Sequence, residues 1–173
     1  MNKRILPIVS ALIFSLASLS AYAYFSWDYM VLENTSLKGI NTITVAVDPP
    51  VRSLNDELVN HGVSATELQK RMIERLQAAG LNVVSREQAS TDPQAALLKL
   101  RIHMTIGYGA VYSWGLNLSL NQKVALNRPE SFYPVRTWST GKFGGTQQTN
   151  LRIINDYSMQ LVNDFIDAYH AQN

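Results

Sequence analysis

From Leu98 the chain alternates strictly, with Leu98, Leu100, Ile102, Met104 and Ile106 apolar and Lys99, Arg101, His103 and Thr105 polar between them. Period two sends successive side chains to opposite faces, so this segment predicts a strand with one core face and one wet face. Gly107-Tyr108-Gly109 interrupts the run. Alternation then resumes with Tyr112, Trp114, Leu116, Leu118 and Leu120 against Ser113, Gly115, Asn117, Ser119 and Asn121. The two strands are expected to pair as a hairpin. Asn127-Arg128-Pro129-Glu130 marks another turn, and residues 135–143 read as a further strand ended by Gly144-Gly145. Alternation is poor in that strand. Its exposed set is either Arg136, Trp138, Thr140 and Lys142, or Val135, Thr137, Ser139 and Phe143.

Upstream, residues 40–47 are rich in β-branched side chains and close on Asp48-Pro49-Pro50, which predicts a strand ending in a turn. Residues 51–62 read as a polar connection. Ser64 with Glu67 three residues on has the form of a capping box, and Val63 and Leu68 occupy the positions of a hydrophobic staple. Leu68, Met72, Ile73, Leu76 and Ala79 recur at helical spacing, and Gly80 stands where a helix end needs positive φ. A helix over 65–79 follows, then a short strand at 81–85, giving a right-handed crossover unit. Leu151, Ile154, Met159, Leu161, Val162, Phe165, Ile166 and Tyr169 predict a long amphipathic helix lying on the sheet. With residues 24–38 as an extended leader, the order is β-α-β-β-β-β-α. This is an α/β (α+β) two-layer sandwich, a mixed sheet of about five strands with two helices on one face, in a single domain over 24–173.

The first residues add an address. Lys3 and Arg4 precede an apolar run over 5–19 and then Ala21-Tyr22-Ala23, the order of a secretory signal peptide cleaved after Ala23. The run is too short for the roughly 20 apolar residues of a spanning helix, so no stable membrane insertion is expected after cleavage. The expected location is periplasmic, and the alternative is an inner-membrane anchor formed by an uncleaved signal. Losing Lys3 and Arg4 leaves the basic residues equal in number to the 13 acidic ones, down from a formal charge of +2. A neutral domain has no global field to draw in nucleic acid, so recognition must come from a local patch. The chain has no Cys, which leaves stability to packing without disulfides and removes the residue that bacterial lipid anchoring uses.

Three segments together resemble a family of small, uncharacterised exported bacterial proteins. They are Leu76-x-x-Ala79-Gly80-Leu81-x-Val83, Trp138-Ser139-Thr140-Gly141 with Leu151-Arg152-x-Ile154, and the ending Leu161-Val162-x-Asp164-Phe165-Ile166-x-x-Tyr169. The resemblance covers most of residues 24–173 and implies export without implying an activity. In topology the chain is similar, more distantly, to the amino-terminal domain of the Tol-Pal translocation protein and to small envelope accessory lipoproteins. What that similarity implies is an envelope accessory that binds a protein partner. The missing lipidation Cys departs from the accessory lipoproteins.

Few chemistries find their residues here. His61, His103 and His170 lie far apart without zinc spacing, and Asp48, Asp56 and Glu57 lack the alternation of a Ca²⁺ loop. Residues 141–146 lack the G-x-x-x-x-G-K-[ST] of a phosphate loop, and no G-x-S-x-G occurs. Ser139 with His103 as its base would need an orienting group and an oxyanion site, neither of which is identifiable. No cofactor, metal or nucleic acid is implied. One constellation remains. Lys99, Arg101 and His103 share the wet side of one strand, Asn117, Ser119 and Asn121 add amides and a hydroxyl, and Arg136, Trp138, Thr140 and Lys142 would join a basic stripe to an aromatic platform. Such a face suits an acidic protein segment or an anionic glycan, through charge-assisted hydrogen bonds and stacking. The expected function is a non-catalytic periplasmic binding or adaptor protein acting through a sheet face or edge. The alternatives are a carrier of a small anionic or glycan ligand and, third, a hydrolase with an unrecognised site.

Overall fold

The computed structural model describes residues 33–107, 109, 111–125 and 132–173. The expected signal peptide, most of the leader and the turn at 127–130 lie outside the described residues. The elements run β1 (Ile43–Asp48), α1 (Arg52–Asn60), α2 (Ala65–Ala78), α3 (Arg86–Thr91), β2 (Ala96–Ile106), β3 (Val111–Ala125), β4 (Phe132–Gln147), a 3₁₀ turn (Gln148–Asn150) and α4 (Ile153–His170). The sheet order is β1-β2-β3-β4, parallel between β1 and β2 and antiparallel thereafter. This is the expected α+β sandwich with a mixed sheet, and β2 and β3 form the expected hairpin.

The core fills the space between one sheet face and the helices. Ile43 and Val45 of β1, Leu98 to Met104 at every second position of β2, and Tyr112 to Leu120 at every second position of β3 are all buried. Against them pack Leu54 and Leu58 of α1, Leu68, Met72 and Leu76 of α2, and Ile154, Leu161, Val162 and Phe165 of α4. The strict period-two reading of β2 and β3 is therefore the core itself.

Several expectations are corrected. Residues 51–62 are not a bare connection, since they contain α1, seated by the buried i, i+4 pair Leu54 and Leu58 on a largely polar helix whose other apolar residue, Val59, is exposed. Its end is a Schellman motif. Gly62 has φ +78°, its N–H reaches Val59 O at 3.0 Å, and Val63 N–H reaches Leu58 O at 2.8 Å. The same motif ends α2 at Gly80, φ +85°, as expected, with Leu81 N–H on Leu76 O at 3.1 Å. Ser64 is the N-cap of α2 but its side chain accepts no capping bond, although Val63 and Leu68 are both buried as the staple requires. The capping box sits instead at α3, where Gln88 N–H donates to Ser85 Oγ and Ser85 N–H to Gln88 Oε1. That helix begins so soon that residues 81–85 make no strand. Val83 forms a single parallel bridge with Ile43, so the sheet has four strands among the described residues. From Glu33 the leader is a helical turn rather than extended chain, with Leu37 fully buried.

The glycine pair does not end β4, which runs on to Gln147. Gly144 lies opposite Trp114, and a Cβ there would stand 2.7 Å from Trp114 Cζ2. The missing side chain makes room for the indole, which stacks on Tyr157 of α4 at 5.0 Å between ring centroids. The Trp114 indole N–H is buried and finds no acceptor among the described residues, a cost of about 1–3 kcal/mol that this packing must offset.

The decisive irregularity is in the upper half of β4. Leu120 pairs with Trp138 but Asn121 pairs with Arg136, so Thr137 is an extra residue on the β4 side. A bulge of this kind shifts the side-chain alternation by one position. Trp138 faces the helices and is 4% exposed, meeting Phe165 edge-on at 5.2 Å while its Nε1 donates to Asn34 Oδ1 at 3.1 Å. Arg136 emerges on the opposite face.

Gly144→Ala is expected to lower unfolding free energy by about 1–3 kcal/mol through overpacking against Trp114. Gly145→Ala, where the nearest atom would lie 3.7 Å away, should stay within about 0.5 kcal/mol of the parent. Urea denaturation reads both, and equal midpoints would show that the indole yields at no cost. By the same measurement Trp138→Ala should cost about 3–5 kcal/mol, whereas Phe143→Ala, at a side chain 91% exposed, should be nearly neutral.

Candidate binding face

The face turned away from α1, α2 and α4 is built from short rows of side chains aligned across the strands. Asp48, Arg101, Asn117 and Gly141 form one row, Ala46, Lys99, Ser119 and Ser139 the next, and Thr44, Leu97, Asn121 and Arg136 the third. His103, Gly115 and Phe143 make a row on the far side of Arg101. Of the residues singled out from sequence, Lys99, Arg101, His103, Asn117, Asn121 and Arg136 thus share one face.

Trp138 and Lys142 do not. The bulge at Thr137 places both on the helix side, where Lys142 Nζ lies 5.9 Å from the Tyr157 ring centroid and Trp138 is core. Thr140 pairs with Leu118 and follows them. The aromatic platform expected beside the basic stripe is absent from this face. The members of the rival set that do emerge here are Ser139 and Phe143.

Electrostatics within the face are uneven. Asp48 Oδ2 holds Lys99 Nζ at 2.7 Å and stands 3.7 Å from Arg101 Nε, so one carboxylate serves two cations. Arg136 is exposed, and no described carboxylate pairs with it. The amides are weakly engaged. Asn117 Nδ2 donates to Thr140 O at 3.4 Å, and Asn121 Nδ2 to Leu97 O at 3.5 Å, both long for hydrogen bonds. These groups surround a depression of about 420 Å³ whose lining includes Lys99, Arg101, Asn117, Asn121 and Arg136. Cationic donors around under-used amides can take up carboxylates by charge-assisted hydrogen bonding, the stronger kind.

Asp48 was legible only as a strand end. Its role comes from the parallel register with Arg101, which no local pattern announces. The Ser139 and His103 pair does not form a catalytic dyad. They stand on β4 and β2 with β3 between them, in different rows, so the strand spacing alone separates them by about 10 Å. Ser139 Oγ approaches Glu33 Oε1 at 3.5 Å instead. Among the described residues no group of three or more His, Asp or Glu is placed to hold a metal ion. No helix among them is long and apolar enough to cross a membrane.

No protein-family model and no curated protein matches the chain. Among solved structures, a minor lipoprotein from Acinetobacter baumannii is similar over 78% of this chain and 91% of that one, at 12% identity and a TM-score of 0.27. A likeness at that level carries no inference about fold or activity, and it supplies no link to the Tol-Pal domain.

Proposed function

We propose that this is a non-catalytic, exported binding or adaptor protein of the bacterial envelope that holds an acidic segment of another envelope protein across the outer face of its sheet. The observation that carries the reading is the convergence of Lys99, Arg101 and Arg136 with Asn117 and Asn121 on one face, where Asp48 engages Lys99 and Arg101 and the Glu33 carboxylate stands at the β4 edge beside Ser139. The inner sheet face is closed by its packing against the helices, whereas the donors of the outer face stay open to a partner. The amino-terminal export pattern supports a periplasmic setting, in which protein segments rather than nucleic acids are the expected acidic partners.

A photo-crosslinking residue at Asn117 in cells producing the full chain tests the reading, with one at the exposed Gln160 of α4 as control. A discrete protein adduct is expected from position 117 and none from 160. Arg101→Glu with Arg136→Glu should reduce that adduct by about tenfold or more, since each lost charged hydrogen bond is worth ~1.5–3 kcal/mol. Both side chains are exposed, so the melting temperature should hold. Equal adducts at the two positions, or an adduct indifferent to charge reversal, would overturn the proposal.

A further inference from the structure

The short helix α3 closes one end of the outer face and leaves a cavity of about 460 Å³ beneath it, within the size range of small-molecule sites. Its lining combines apolar and charged side chains with the neutral polar Thr44, Ser90, Asn121 and Gln122. Val45, Ala46, Ala89, Ala95, Leu97 and Pro134 make much of it apolar, whereas Arg86, Lys99 and Lys123 bring three cationic side chains against one carboxylate, Asp48. That carboxylate is already held by Lys99 at 2.7 Å. Lys123 Nζ reaches a backbone carbonyl, Asp92 O, at 3.1 Å, and no described carboxylate forms an ion pair with Lys123 or Arg86. Glu87, the fully exposed neighbour that Arg86 acts on electrostatically, lies outside the lining, so within the recess Asp48 is the one carboxylate facing these cations.

We propose that this cavity binds an organic monocarboxylate with an aliphatic tail, its carboxylate held between Arg86 and Lys123 and its tail lying on Ala46, Ala89 and Leu97. A wholly apolar ligand would leave both cations unmatched. A compact dianion such as phosphate would bring a second negative charge towards Asp48 and leave the apolar lining unused. A guanidinium and an ammonium flanking one carboxylate give charge-assisted bonds from two directions, and the recess gives the tail a surface to leave water for. The capping box at Ser85 and Gln88 fixes the start of the helix that carries Arg86, Ala89 and Ser90, so the wall of the site is set by local structure.

This inference goes beyond the acidic-partner reading. The residues that test it, Ala46, Arg86 and Lys123, are not those of the Arg101 and Arg136 charge reversal. Calorimetric titration of the purified protein with octanoate, octanol and inorganic phosphate is the direct experiment. Octanoate is expected to bind saturably, octanol more weakly by about tenfold or more because both charge-assisted contacts are lost, and phosphate not at all. Arg86→Gln with Lys123→Gln should weaken octanoate by about tenfold or more, and Ala46→Phe should abolish its binding by filling the recess. Should the filling variant fail to fold, the charge variant carries the test, because both of its side chains reach the cavity from its rim. Amide shifts on octanoate addition should fall on Ala46, Ala89 and Leu97 and spare Phe143. Equal affinity for octanoate and octanol, shifts elsewhere, or full affinity in the charge variant would overturn the site. The Asn117 crosslink should survive in the charge variant, so the two proposals fail separately.

Discussion

The joining of a closed core to the β4 side of the outer face depends on one extra residue, Thr137. Because β4 carries one more residue than β3 between the Leu120–Trp138 and Asn121–Arg136 pairs, its two halves present opposite alternations to the same face. The bulge is held, not tolerated. Ser36 Oγ donates to Thr137 O at 2.9 Å, and Gln122 Nε2 donates to Thr137 Oγ1 at 3.0 Å and to Ser36 O at 2.8 Å. A bulge frees backbone groups from the ladder, and a buried polar group without a partner is costly. The turn at residues 33–36 supplies those partners and then adds Asn34 as acceptor for the Trp138 indole. Removing the extra residue would turn either Trp138 or Arg136 to the wrong side, so core and candidate binding face are specified together.

The glycines of the sheet complete that arrangement. Gly115 and Gly141 stand opposite Phe143 and Asn117 on the outer face, so on β3 and β4 the half of the face away from α3 has two positions without side chains, and its bulk comes from Phe143, His103 and Arg101. The α3 half is crowded with long cations and walled by a helix. Gly144 does the converse on the inner side, giving its space to Trp114. One strand thus keeps a low outer surface and a dense inner one by alternating glycine between the two faces.

What the sequence made legible divides along the same line. β2 and β3 alternate without interruption, and their inner and outer faces could be read directly, including Lys99, Arg101, Asn117 and Asn121. In β4 the period changes phase at Thr137, so neither candidate exposed set was right throughout: Arg136 belongs to one and Ser139 with Phe143 to the other. A bulge is fixed by contacts with Ser36 and Gln122, which are distant in sequence or on another strand. The helix α1 was hidden for a different reason. Two leucines suffice to seat it because α2 and α4 supply the rest of the core, and its one local signal was Gly62 at the Schellman position. The cavity under α3 was not legible, since Arg86, Ala46, Lys123 and Pro134 come from α3, β1, β3 and β4 and meet only through the pairing of all four strands and the chain's crossing from β1 to β2.

The balance of charge then says how such a face can act. The whole chain carries a formal charge of only +2, so no strong long-range field gathers anionic partners, and attraction works within about a Debye length, ~8 Å at physiological ionic strength. A local cluster on a near-neutral body discriminates at contact more than it steers from afar. Within the cluster, Asp48 removes most of the bare charge of Lys99, whereas Arg101 and Arg136 remain on the exposed rim. Salt should therefore weaken contacts made by the two arginines more than those made in the recessed site under α3, where apolar contact shares the binding and the ion atmosphere is partly excluded. On the two proposals, one sheet face would hold two kinds of anion by two balances of the same forces.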